Sequence, residues 1–132
     1  MKGKFKIVVF LAFSILLIAG CKKNPFDYRT KYIGDYDFLR NYTSWVTGGS
    51  TTSGTISKTG RVEYGDKGEI NIIFDANDPT HYNVYKIDRD GNLTYTSGGD
   101  AGKFESKNKV YYEQTTTFSG GGGTSNTTGT KK

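Results

Sequence analysis

Glu69-Ile70-Asn71-Ile72-Ile73-Phe74-Asp75 alternates, with Ile70, Ile72 and Phe74 on one side of an extended chain. Successive side chains of a strand point to opposite faces, so the pattern predicts a half-buried β-strand. Asp66-Lys67-Gly68 before it is a turn signal. Gly54–Tyr64 before that turn reads as extended too, broken at Thr59-Gly60 into one strand or two short ones.

The same reading extends both ways along the chain. Ile33–Val46 reads as a long first strand, with Tyr36, Phe38, Arg40 and Tyr42 on one face and Gly34 marking a bend. Downstream, His81–Asp88, Asn92–Ser97, Gly102–Ser106 and Val110–Phe118 follow as strands. In the last of these Val110, Tyr112 and Phe118 share a face, with Gln114 and Thr116 between them. Asp90-Gly91 suits a tight hairpin, and Lys107-Asn108 separates two further strands. Residues 124–132 are read either as an eighth strand or as a disordered tail, because they contain no large apolar side chain. Gly48–Gly54 and the run Gly120-Gly121-Gly122-Gly123 are read as loops.

Composition agrees. From residue 21 onward the chain has two leucines and two alanines against 17 threonines, 16 glycines and all ten tyrosines. Good helix formers are scarce, and aromatic and β-branched residues are abundant. The expected fold is all-β: one antiparallel meander of seven or eight strands over residues 32–132, closed as a barrel or packed as a sandwich.

One stretch differs from all of this. Ile7–Ala19 is thirteen residues with Ser14 as its only polar member. It is too short to span a bilayer, which takes about 20 apolar residues, but it fits a secretory h-region. Lys2, Lys4 and Lys6 precede it as a positive n-region. Residues 1–20 are therefore expected to be a signal peptide, entering as a helix and then removed. Its loss takes Lys+Arg from 18 to 15 against 13 Asp+Glu, a mature net charge of about +2. So small an excess does not support a nucleic-acid partner.

Leu17-Ile18-Ala19-Gly20-Cys21 resembles the lipobox of bacterial lipoproteins, with Ile18 where leucine is more usual. The resemblance implies that Leu17, Ile18, Ala19 and Gly20 are read by the lipoprotein signal peptidase. It also implies that the Cys21 thiol carries a diacylglyceryl thioether and that its freed α-amine is open to acylation (palmitate). Two or more acyl chains anchor stably where one does not. Cys21 is the only cysteine, so no disulfide remains to staple the fold. Lys22 to about Lys31, with Pro25 at its centre, reads as a flexible tether. The lipobox, the Cys21-Lys22-Lys23 junction and the Tyr/Gly/Thr-rich domain together resemble small Bacteroidetes lipoproteins of uncharacterised role. Gly34-Asp35-Tyr36 loosely resembles the Gly-x-Trp opening of lipocalin-like barrels. With Lys22 after Cys21 and no acidic run, the expected location is the outer membrane, facing the periplasm.

The residues offer little conventional catalytic chemistry. His81 is the only histidine and Cys21 is consumed by lipidation, so a zinc site of His and Cys ligands cannot be assembled. Asp88-Arg89-Asp90-Gly91-Asn92 opens like a calcium loop, but Leu93 and Gly99 stand where that loop needs glycine and glutamate. Asp35, Asp37, Asp75, Asp78, Glu105 and Glu113 are available as paired carboxylates for hydrolysis, and nothing in the sequence pairs any two. Aromatics are the remaining candidates. Tyr42 and Trp45, three apart, face opposite sides of a regular strand, and Tyr36 and Phe38 are candidates for an inward ligand-contacting face. Exposed rings of this kind stack on sugars or cover an apolar ligand, whereas buried ones fill a core.

The expectation is a non-enzymatic, lipid-anchored envelope protein without cofactor or metal, acting as a binding or structural module. Membrane lipid is its partner through Cys21. A small apolar ligand, a glycan or another envelope protein is the candidate second partner. The alternative is a lipocalin-like carrier whose cavity is lined by Tyr36, Phe38, Ile72 and Phe74. An envelope hydrolase using paired carboxylates is a third reading.

Overall fold

The computed structural model describes residues 26–132. The signal segment and Cys21 lie outside them. After a 3₁₀ turn at Tyr28–Lys31 come eight strands: β1 (Gly34–Val46), β2 (Thr51–Tyr64), β3 (Glu69–Ile73), β4 (Tyr82–Ile87), β5 (Asn92–Tyr95), β6 (Asp100–Ser106), β7 (Lys109–Phe118) and β8 (Gly121–Lys131). Each pairs antiparallel with the next, and β8 returns to β1, so the meander closes as a barrel. Closure pairs both edges of the sheet over the shared length of the eight strands, which a sandwich would leave open.

Turn chemistry sets the hairpins. Gly91 takes φ +85° between β4 and β5, a left-handed conformation open to glycine at little steric cost. The Asp88 carboxylate closes that turn by accepting from the Asp90 and Asn92 backbone amides, both at 2.9 Å, and from Asn92 Nδ2 at 2.7 Å. The residues that opened like a calcium loop thus bond to one another.

The strands differ in length, and this shapes the molecule. The β1–β2 ladder runs from Gly34↔Val62 to Trp45↔Thr51, and the β1–β8 ladder from Tyr36↔Lys131 to Val46↔Gly121. The β2–β3 ladder covers only Arg61–Tyr64 of β2. The β6–β7 ladder ends at Tyr112. The barrel is therefore closed at one end, and β2-β1-β8-β7 project beyond it as a four-stranded sheet. β2 is a single strand through Thr59-Gly60.

The closed end holds the core. Ile70 and Ile72 are buried and Phe74 packs beside them, as the alternation of β3 predicts. Tyr36 and Phe38 from β1 meet Tyr112 and Val110 from β7, Tyr85 from β4 and Phe104 from β6. The rings interlock: Tyr36–Phe38 centroids are 5.7 Å apart, Phe38–Tyr112 6.4 Å and Tyr85–Tyr112 5.6 Å. Each fully buried large side chain contributes about 1.5–3 kcal/mol, so aromatics do here what leucines do in other cores.

Three segments differ from the sequence reading. Residues 51–54, read as part of a loop, open β2 and pair with the end of β1. Gly121, Gly122 and Gly123 belong to β8 and form no loop, and residues 124–131 continue that strand. The missing side chains leave room for neighbouring rings, as Trp45 lies over Gly122 and Phe38 fills the space beside Gly129. Residues 28–31, placed in the tether, dock on the barrel. The Tyr28 hydroxyl donates to Ile87 O at 2.8 Å, and Arg29 Nη1 donates to Asp66 O and Glu69 O.

Candidate functional site

The inner face of the projecting sheet does not fill. Arg40 and Tyr42 continue the inward row begun by Tyr36 and Phe38, and Ile56, Gln114, Thr116 and Ser125 meet them from the neighbouring strands. They line an open, solvent-facing cavity of about 450 Å³. A second cavity of about 360 Å³ lies beneath the β3–β4 connection and is lined by Phe74, Asp75, Asp78, Thr80, His81 and Tyr82. Arg40 and Asn83 line both, so the two spaces form one mouth divided by these side chains. Gln114 Nε2 donates to Asn83 Oδ1 at 2.8 Å and ties β7 to β4 across the opening where no ladder joins them.

Arg40 is the feature that the fold places with most care. Its guanidinium carbon stands 3.8 Å from the Phe74 ring centroid, a cation–π contact that fixes one face of the fork. Arg40 Nε donates to Thr127 Oγ1 at 3.1 Å, and Thr127 is fully buried. Arg40 Nη2 reaches the Tyr112 hydroxyl only at 3.5 Å. Among the described residues Arg40 forms no ion pair and Nη1 has no hydrogen-bond partner. Burial pushes the Tyr112 phenol above its usual range, and the nearby Arg40 charge opposes that shift. The phenol therefore stays protonated and able to donate.

The acids at the mouth are already committed. Asp75 pairs with Lys58 at 2.7 Å, and its carboxyl is held below the usual range chiefly by that bond. Asp78 pairs with His81 at 2.7 Å, which lowers the Asp78 pKa and raises that of His81. His81 is 84% exposed, on the rim of the smaller space.

The sequence candidates are divided among three places. Tyr36 and Phe38 sit in the packed core and line neither part of the mouth. Tyr42 forms its wall, lying over Gly54 on the inner face. Trp45 is on the outer face, across Gly122, so the two aromatics do take opposite sides of β1. Leu17, Ile18, Ala19, Gly20 and Cys21 lie outside the described residues. Asn83, Gln114 and Thr127 were not singled out from sequence for this site. The available signal was Arg40 itself, a charged residue in an otherwise aromatic inward row. No protein-family model, curated protein or solved structure matches this chain.

Proposed function

We propose that this chain is a lipid-anchored, non-enzymatic binding module of the cell envelope that holds a small polar ligand in the barrel mouth. The observation that carries the reading is the 450 Å³ cavity beside a packed core. Ligand sites begin at about 300 Å³, and a few convergent polar groups fix the ligand's orientation. Arg40, Asn83 and Gln114 are such groups. The lipocalin-like carrier reading is modified accordingly. Tyr36, Phe38 and Ile72 interdigitate at the closed end, so a ligand is expected in the polar mouth instead of an apolar lumen. Asp75 and Asp78, both held as carboxylates near neutral pH, are poorly suited to acid catalysis, which supports binding over hydrolysis.

The anchor rests on the lipobox. Five residues separate Cys21 from Asp27, so an acylated Cys21 would hold the barrel within about 20 Å of the bilayer, the span of the six extended steps between them. The outer membrane, facing the periplasm, is the proposed location.

Three experiments test the proposal. Cys21→Ala should abolish labelling by a fatty-acid analogue, and persistent labelling would refute the anchor. A thermal-shift screen of small polar compounds should give hits whose stabilisation disappears in Ile56→Trp, which fills the mouth. Hits that are unaffected by that obstruction would place the ligand elsewhere. Protease treatment of intact cells should leave the protein uncut if it faces the periplasm.

A further inference from the structure

We infer that the mouth recognises an anionic group, a carboxylate or a phosphate on a small polar body, through the guanidinium of Arg40. The inference rests on the mouth being a ligand site and names what that site selects.

Arginine presents five N–H donors in a planar fork that matches carboxylate and phosphate oxygens two at a time. In this barrel the fork is held from two directions. Phe74 supports its face at 3.8 Å, and Thr127 accepts from Nε at 3.1 Å. These contacts position the group and spend one donor, leaving the terminal nitrogens with only the long contact to Tyr112. A half-buried charge without a counterion is costly, and proteins ordinarily pair it. Two ion pairs at the mouth show how this fold does so: Lys58 takes Asp75 and His81 takes Asp78. Arg40 takes none of these carboxylates.

The larger part of the mouth sharpens the selection. Among the described residues Arg40 is the only charged one lining it, and the two acids of the smaller part, Asp75 and Asp78, are paired with Lys58 and His81. Gln114 and Asn83 are fixed by their mutual bond, and Ser125 and Thr116 add hydroxyls that accept or donate. The cavity exceeds a bare anion, so the anionic group is expected to be carried on a polar body that reaches these hydroxyls and amides. Two sources share this chemistry: a free metabolite, and the headgroup of an anionic lipid in the membrane to which Cys21 would tether the barrel.

The test uses the full chain in detergent micelles and three probes of one size class: glycerol 3-phosphate, glycerate and neutral glycerol. Isothermal titration should show both anions binding and glycerol at least tenfold weaker. Raising ionic strength should weaken the anions and leave glycerol unchanged. Arg40→Gln should reduce anion affinity at least tenfold. Arg40→Lys, which keeps the charge and loses the fork, should fall between the two. If Arg40→Gln fails to fold, the Arg40 Nε–Hε resonance of the wild type decides, since it should shift with the anions and not with glycerol. Vesicles containing phosphatidylglycerol should compete with glycerol 3-phosphate if the source is a headgroup. Phosphatidylcholine vesicles should not. Competition by neither would assign a free anion. Equal binding of glycerol and the anions, or binding indifferent to Arg40→Gln, would overturn the anion inference and leave the mouth as a ligand site. If no small polar compound moves the side-chain amide resonances of Asn83 and Gln114, both the inference and the mouth reading fall.

Discussion

The Trp45 indole occupies the space that a side chain on Gly122 would need: a Cβ at Gly122 would stand 2.6 Å from Trp45 Cζ2. The two residues are directly paired across β1 and β8. A glycine in a strand loses more entropy on ordering than other residues and offers nothing to pack, and a ring laid across it supplies the missing contact. Gly122→Ala should therefore displace the indole, and the Thr116 carbonyl oxygen 2.8 Å away leaves the new methyl little alternative room. The expected loss is about 1–3 kcal/mol, the usual cost of overpacking. Trp45 is the only tryptophan, so its emission should shift to the red in the variant. Unchanged emission and stability would show that the indole does not need the glycine.

That pairing also marks how far the sequence could be read. The strands of alternating character were legible because their pattern is local: Ile70 and Ile72 are buried as their spacing requires, and Val110 and Tyr112 likewise. The glycine run was not, because a glycine gives no sign of the ring that will lie over it. Trp45 and Gly122 are separated by most of the chain. Closure of the barrel depends on the β1–β8 ladder, another long-range pairing. Arg40 was visible as an inward charge, but Thr127, Phe74 and Tyr112 come to it from three other parts of the sequence. A cavity is a relation between such segments, so no single one of them predicts it.

Two core tyrosines should respond in opposite directions to loss of the hydroxyl. The Tyr36 hydroxyl is buried and donates to Tyr32 O at 2.8 Å. The Tyr85 hydroxyl is buried with no hydrogen-bond partner among the described residues. A satisfied hydrogen bond contributes about 1 kcal/mol, and a buried unsatisfied group costs about 1–3 kcal/mol. Tyr36→Phe should lower unfolding stability by about 1 kcal/mol, leaving the Tyr32 carbonyl unpaired. Tyr85→Phe should raise it by about 1 kcal/mol. Urea denaturation with an unchanged m-value would measure both, and a destabilised Tyr85→Phe would refute the assignment of an unpaired hydroxyl.

The His81–Asp78 pair gives the mouth a rim that responds to pH. The Asp78 carboxylate raises the His81 pKa above its ordinary 6.5, mainly through their hydrogen bond, and His81 lowers that of Asp78 below 3.8. The sign follows from linkage. A raised histidine pKa contributes stability that is fully present below 6.5 and is lost as pH rises through the folded-state value. The lowered aspartate pKa contributes stability present above 3.8 and lost as pH falls through its own folded-state value. A proton NMR titration should place the His81 midpoint above 6.5, and Asp78→Asn should return it toward that value. Both groups are exposed, so added salt should shrink the shift. A wild-type midpoint at or below 6.5 would exclude the pair in solution.

Arg29 decides where the barrel ends and the tether begins. Its guanidinium meets the Asp27 carboxylate at 2.7 Å, donates to Asp66 O at 2.7 Å and to Glu69 O at 2.6 Å, and lies 5.1 Å from the Tyr64 ring centroid. One side chain thus joins the entering chain to the β2–β3 turn. The Asp27 carboxylate also accepts from the Arg29 backbone amide at 2.9 Å and caps the 3₁₀ turn. Hydrogen bonds to charged groups contribute about 1.5–3 kcal/mol, so the partly buried Arg29 should matter more than an exposed ion pair. Arg29→Ala should cost about 2 kcal/mol and free residues 28–31 from the barrel. The readout is limited proteolysis: the wild type should resist cleavage after Lys31, and the variant should be cut there while the barrel itself remains resistant. Equal resistance would mean that the Tyr28 bond to Ile87 O is enough to hold the segment. Cleavage of the wild type at Lys31 would restore the tether to its full length and move the mouth further from the membrane.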